Sequence, residues 1–326
     1  MSGGSINTGL LAAEWDRLDF QNGVANAFQI RIVEPLRDFC RRNIDIVAIG
    51  EGLLNPWKSV SEIVQERYDE HLLHGMSLQQ IPDSPRFVFN ATNLQTGKSF
   101  RFSKPYMGDY RIGLIRNPAV KLSLAVTASS AFPPVLSPVV VKDHQPFEKV
   151  EGADLHDDPH YTGELYLTDG GTYDNLGLET VWDRYDTILV SDAGAPFKAS
   201  DAARTDWLSQ ATMALDVATD QARGLRKRVL IADFEAELRE GAYWGIDTKI
   251  GNYPLPDPMT CRPEIVAPLA LLRTRLNPFS DDEQGRLINW GYALSDAALR
   301  SHARALVPTA TRPTAWPAPG QALGNL

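Results

Sequence analysis

The chain has 326 residues, of which 43% are hydrophobic and 22% charged, enough to bury a substantial core as one large domain or two modest ones. Lys and Arg number 32 against 41 Asp and Glu, giving a net charge of −9, which argues against nucleic-acid binding and against electrostatic attraction to anionic membranes. Two distant cysteines, Cys40 and Cys261, exclude a disulfide framework and a C-x-x-C metal site and read as two buried thiols.

The chain opens Met1-Ser2-Gly3-Gly4-Ser5 and runs directly into an apolar, helix-like segment through Trp15. Ser2-Gly3-Gly4 has the S-x-G form of a nucleophile elbow, in which a serine stands on a tight turn at a helix N-terminus. Ser2 is therefore the candidate nucleophile, and the glycines are expected where a Cβ has no room. Ser5, followed by Ile6-Asn7, fits that role less well.

A second helix is predicted over 26–42, bent or divided at Pro35. A third follows from Val60, Ile63, Val64 and Tyr68, with Gly75 as its stop. Residues 86–90 and 100–102 read as strands around a turn at 93–97. The longest apolar stretch, 125–141, is interrupted by Pro133, Pro134 and Pro138, so nothing approaches the roughly 20 residues that span a bilayer. His156-Asp157-Asp158-Pro159-His160 could be drawn as a metal site, but the proline and adjacent acids suit a solvated loop. No cofactor is predicted.

Glu164 to Thr168 reads as a strand, and it delivers Asp169-Gly170-Gly171 at its end. An acid so placed, with two glycines permitting positive φ and clearing space, can serve as a general base. Asp174 and Asn175 are expected to cap that turn, and the spacing does not suit an EF-hand calcium loop. Residues 187–192 and 228–233 are short apolar runs typical of buried parallel strands, and Trp207, Ala211, Ala214, Leu215 and Ala218 line one face of a helix between them, making a βαβ unit. Asp192, before Ala193-Gly194, is the second candidate base. Ser280-Asp281-Asp282-Glu283 forms a capping box opening a scaffold helix. A domain is thus predicted over 1–306, followed by a disordered tail over 307–326 with Pro308, Pro313, Pro317 and Pro319.

Ser2-Gly3-Gly4-Ser5 resembles the end of the G-x-S-G-G-S elbow of the patatin-like phospholipase family. Asp169-Gly170-Gly171 resembles its D-G-[GA] motif. Between them, the strand and Ala-Thr turn at 87–97 and the small-residue block Ala128 to Val135 resemble the family's segments in order and rough spacing, from Ser2 to about Asp192. The resemblance implies an α/β fold with a central, mostly parallel sheet flanked by helices in three layers, lacking its first strands. It also implies a Ser2/Asp169 dyad acting on a lipid or acyl ester without metal or cofactor, with an acyl groove beside the pair.

The family's oxyanion loop, G-G-G-x-R-G, precedes the serine, whereas only Met1 precedes Ser2, leaving the Gly3 N–H as a weak donor. Two readings follow: a lipid acyl hydrolase, or an incomplete chain acting as a binding or interaction protein. A phosphate cradle is set aside because no G-x-G-x-x-G or G-K-[ST] follows the glycines. Met1 is expected not to be the natural start of a working enzyme. Lipid contact would be peripheral, and the location cytoplasmic or at a membrane surface.

Overall fold

The opening apolar segment forms helix α1, Ser2–Glu14. In the computed structural model, which describes residues 2–44, 58–133, 136–197, 199, 205–273 and 277–325, α1 buries Ile6, Leu10 and Ala12. A Cβ on Gly9 would stand 2.6 Å from Val126 Cγ2, so glycine is what lets α1 lie close to the later helix Leu122–Ser130. Gly3 and Gly4 behave differently from the expectation. Both are helical, and a Cβ on either would meet nothing within 4 Å.

After α1 comes a small hairpin, β1 Phe20–Gln21 and β2 Val24–Ala25, turning through Asn22 and Gly23 at φ 51° and 80°. Two successive left-handed residues favour such a turn, and Asn-Gly supplies them. The predicted second helix is divided as Pro35 requires: a π-helical turn at Gln29–Val33 leads into α2, Glu34–Cys40. Proline lacks an N–H, and its ring crowds the carbonyl four residues back. Helix α3, Val60–Tyr68, is opened by a Ser59/Glu62 capping box and buries Ile63, Val64 and Tyr68. It continues through a π-helical turn and stops at left-handed His74 and Gly75, as predicted.

The main sheet contains β3 Val88–Asn93, β4 Lys98–Ser103, β5 Tyr106–Asp109, β6 Gly113–Arg116, β7 Val139–Val141 and β8 Leu165–Asp169, in the order β6-β5-β4-β3-β8-β7. Every pairing in it is antiparallel, which corrects the expected parallel sheet. For β3 to β6 the reason is connection length. Strands β3 to β6 are joined by turns of two to four residues, and a parallel pair needs a crossover of roughly a dozen or more. Helix α4, Leu122–Ser130, is buried nearly all round, as its apolar composition demands. Pro134 and Val135, which end the predicted small-residue block, lie outside the described residues.

Contacts divide the chain into two units rather than one domain over 1–306: Met1–Gly177 with Leu276–Pro278, and Leu178–Arg275 with Phe279–Leu326. The first holds α1 to α4, the main sheet, and a short helix α5, Gly171–Asp174. The second holds β9 Thr187–Asp192, α6 Trp207–Glu235, β10 Glu240–Gly245 and α7 Asp281–His302. A βαβ unit is present, with β9 and β10 parallel, Gly241 opposite Ile188. However, the predicted second strand, 228–233, is the end of α6. A short apolar run does not distinguish a strand from a buried helical stretch, and here only Leu230 is fully buried.

The tail beyond 306 is packed, contrary to expectation. Trp316 and Leu323 are buried with Trp290 and Leu294 of α7. Asn289 Nδ2 donates to the carbonyls of Ala318 and Gln321 at 2.8 Å each, and Asn289 Oδ1 accepts from Ala318 N at 2.9 Å. One buried amide therefore satisfies the backbone of a proline-rich segment that has few partners of its own.

The predicted capping box at Ser280 is present in both directions, and Arg273 Nη1 adds a 2.7 Å bond to Glu283 Oε1. Arg273, then the Ser280 backbone N–H, hold the Glu283 carboxyl down to about 2 from an ordinary 4.5. A carboxyl depressed on folding contributes stability above its unfolded pKa and loses it as pH falls through the folded value. Urea unfolding between about pH 4.5 and 2 should thus show a steeper loss of stability for the wild type than for Glu283→Gln; parallel curves would contradict this.

Candidate functional site

Asp169 ends β8 and is 1% exposed. Its N–H donates to Ala131 O at 3.0 Å, its carbonyl accepts from Thr92 Oγ1 at 2.9 Å, and its Oδ1 accepts from Gly171 N at 2.6 Å. Its backbone and its Oδ1 are thus engaged. Gly170 has helical angles, φ −59° and ψ −26°, so the expected positive φ is not the reason for glycine there. The reason is space. A Cβ on Gly170 would overlap Asn90 O and lie 2.8 Å from the carbonyl carbon, both backbone atoms of β3. A Cβ on Gly171 would stand 2.8 Å from Asn175 Oδ1 and 3.0 Å from Asp169 Oδ1. Asp174 caps the turn as predicted, its Oδ1 accepting from Leu176 N at 3.1 Å.

Ser2 opens α1, but its side chain lies outside the described residues, as does Met1. The Gly3 amide belongs to the first turn of a 13-residue helix, where backbone N–H groups lack intrahelical acceptors and the helix end is partly positive. Ser5, given less weight in the sequence, carries an unforeseen role. It is 5% exposed, and its Oγ lies 2.6 Å from Ser129 Oγ on α4. Ser129 donates its single proton to Asn90 O at 2.6 Å, so Ser5 is the donor in the first bond. Asn90 O is the atom against which Gly170 packs. The first turn of α1 is thereby tied, through α4 and β3, to the turn that follows Asp169. The signal available in the sequence was the set of hydroxyls, Ser123, Thr127, Ser129 and Ser130, on an otherwise apolar segment.

Asp192, the second candidate base, is an anchor within the second unit. It accepts from Tyr243 OH at 2.8 Å and Gly194 N at 2.9 Å, and Arg223 Nη1 lies 3.7 Å away. Burial, then the Asp192 charge, drive the Tyr243 hydroxyl pKa far above its ordinary value. The His156 to His160 loop is likewise committed to local bonds: His156 Nδ1 lies 2.9 Å from Ile112 O, Asp157 pairs with Lys149, and Asp158 caps His160 N at 2.9 Å. Among the described residues no cluster of three or more His, Cys, Asp or Glu could hold a metal. Cys40 and Cys261 are half-buried rather than buried, and burial raises both thiols, that of Cys261 to about 11.

Asp169 lines neither of two hollows formed by the described residues, so the predicted acyl groove lies at neither. One is lined by Ala13, Glu14, Arg17, Leu72, Gly75 and Gln80, at the far end of α1 from Ser2. The other is a shallow depression at Lys149 to Asp154. Among the described residues, no helix is long and apolar enough to cross a membrane.

The model of the patatin-like phospholipase family matches residues 1–182, more than half of the chain and both motif segments. The chain belongs to the patatin-like phospholipase family. The match takes in α1, the main sheet and the Asp169-Gly170-Gly171 turn, and it ends shortly after Gly177, where the first unit's continuous stretch ends. Patatin-like phospholipases have an α/β fold and act on lipid esters, which sets the class of chemistry to be considered at Asp169. No curated protein matches the chain.

Proposed function

We propose that this patatin-like chain is a lipid acyl hydrolase in which Ser2 is the nucleophile and Asp169 the general base. The supporting observation is the chain of contacts from Ser5 through Ser129 and Asn90 to Gly170, which ties the first turn of α1 to the turn after Asp169. Ser2 stands three residues before Ser5 in the same helix. In this reading Asp169 takes the Ser2 hydroxyl proton directly as the oxygen attacks the ester carbonyl. An acyl-enzyme forms and the alcohol leaves with the proton. Asp169 then activates a water that releases the acid. The Gly3 N–H, at the positive end of α1, is the available donor to the oxyanion. Contact with lipid would be peripheral.

A second reading is a patatin-like chain that binds without turnover. Reaction with a fluorophosphonate probe, read by intact mass and peptide mapping, separates the two. The hydrolase should gain one adduct on the peptide containing Ser2, and Ser2→Ala should gain none. A wild type that stays unlabelled, and that cleaves short chromogenic esters no faster than Ser2→Ala, would leave the binding reading.

A further inference from the structure

Thr92 on β3 and Thr168 on β8 stand directly opposite each other in the sheet, 5% and 0% exposed. Valine has nearly the same shape, is as good a strand former and brings no hydroxyl to be desolvated, so strand preference does not account for threonine at both positions. What threonine adds is two hydroxyls placed around Asp169. Thr92 Oγ1 donates to Asp169 O at 2.9 Å, and Thr168 Oγ1 donates at 2.9 Å to Ala131 O, which accepts the Asp169 N–H as well. Ala131 is the residue that ends α4.

We infer that Thr92 is a positioning residue for Asp169 and that Thr168 assists it. The inference rests on the reading of Asp169 as the general base. Peptide units are planar, so binding the unit before a residue and the unit after it fixes both soft torsions at its Cα, and with them the direction in which the side chain leaves. The Asp169 N–H belongs to the first unit and its carbonyl to the second. Ala131 holds one and Thr92 the other. β8 ends at Asp169, so the residue has strand neighbours on one side only. The second unit leads straight into Gly170, packed on Asn90 O, and then to the Gly171 N–H that reaches Asp169 Oδ1 at 2.6 Å.

Direction matters to a base because it must lie within hydrogen-bond reach of the proton it removes, and misplacing reacting groups by about 1 Å costs about 100-fold. The two hydroxyls differ in what their loss leaves. Without the Thr168 hydroxyl, Ala131 O still accepts the Asp169 N–H. Without the Thr92 hydroxyl, the unit after Asp169 loses a bond that holds its plane. Neither loss removes a charge.

Fluorophosphonate titration run to completion counts the working sites in each variant, so kcat per site for a short chromogenic ester is free of any unfolded fraction. Thr92→Val should lower kcat per site by about 10- to 100-fold, with KM and the acid limb of the pH profile unmoved. Thr168→Val should lower it by a smaller factor. Thr92→Ser, which keeps the hydroxyl, should stay within about threefold of wild type. Wild-type kcat per site in Thr92→Val overturns the inference, even where the thermal melt or the number of working sites falls, because the threonine would then only stabilise the fold. A Thr92→Ser chain as slow as Thr92→Val overturns it too, since the lost methyl would be the cause. A wild type that takes up no probe and turns over no ester is a different failure, which removes the hydrolase reading and this inference together.

Discussion

Asp169→Asn should lower kcat for short acyl esters by about 100- to 10,000-fold, the range a positioned general base supplies, with KM little changed. The substitution is nearly isosteric. An asparagine carbonyl can still accept the Gly171 N–H that now reaches Asp169 Oδ1 at 2.6 Å, and the backbone bonds to Ala131 and Thr92 do not involve the side chain. The fold should therefore survive, and a thermal melt within a few degrees of wild type would separate loss of the base from loss of structure. What asparagine cannot do is take a proton. Full activity in Asp169→Asn would remove Asp169 from the mechanism and shift attention to Asp192, whose carboxylate is already engaged by Tyr243 and Gly194.

Gly170→Ala should cost about 3 kcal/mol or more, the upper end for forcing a methyl into a packed interior. The added carbon would collide with the carbonyl of Asn90, which is backbone and does not rotate aside. Relief requires β8 to move away from β3, but Ala91 and Asp169 are paired in register there, and Ser129 holds the same Asn90 carbonyl from α4. Chemical denaturation should show the loss directly, and any ester hydrolysis should fall with it. Gly3→Ala is the matched control. Gly3 is helical with open space around its Cα, so alanine should be neutral or stabilise by up to about 1 kcal/mol. A Gly170→Ala chain as stable as wild type would show that the turn after Asp169 is free to shift, and the link to α1 would lose its force.

The features legible in the sequence were those set by a few neighbouring residues. The capping box at Ser280 and Glu283 depends on one hydroxyl and one carboxylate three positions apart. The stop at His74 and Gly75 depends on two residues that tolerate left-handed backbone. The end of β8 at Asp169 followed from an apolar run meeting two glycines, and the motif segments with their order were enough to indicate the family. The direction of strand pairing had no such local signature. For β3 to β6 it followed from short turns, and the expected parallel sheet gave way to an antiparallel one.

Tertiary structure also decided why particular residues are present. Residues 228–233 read as a strand from their apolar run, but they end α6 with Leu230 buried, and β10 takes the position beside β9. The proline-rich tail read as disordered, but its Trp316 and Leu323 find a place in the α7 core and Asn289 holds its backbone, which makes its ordering favourable. Gly170 is glycine because of a carbonyl 80 residues earlier in the chain, and Ser5 is buried because a hydroxyl on α4 stands opposite it. Local chemistry thus specified turns, caps and the acid at the strand end. Contacts between residues far apart in sequence specified which surfaces were covered, because the free energy of burial depends on the partner and not on the segment alone.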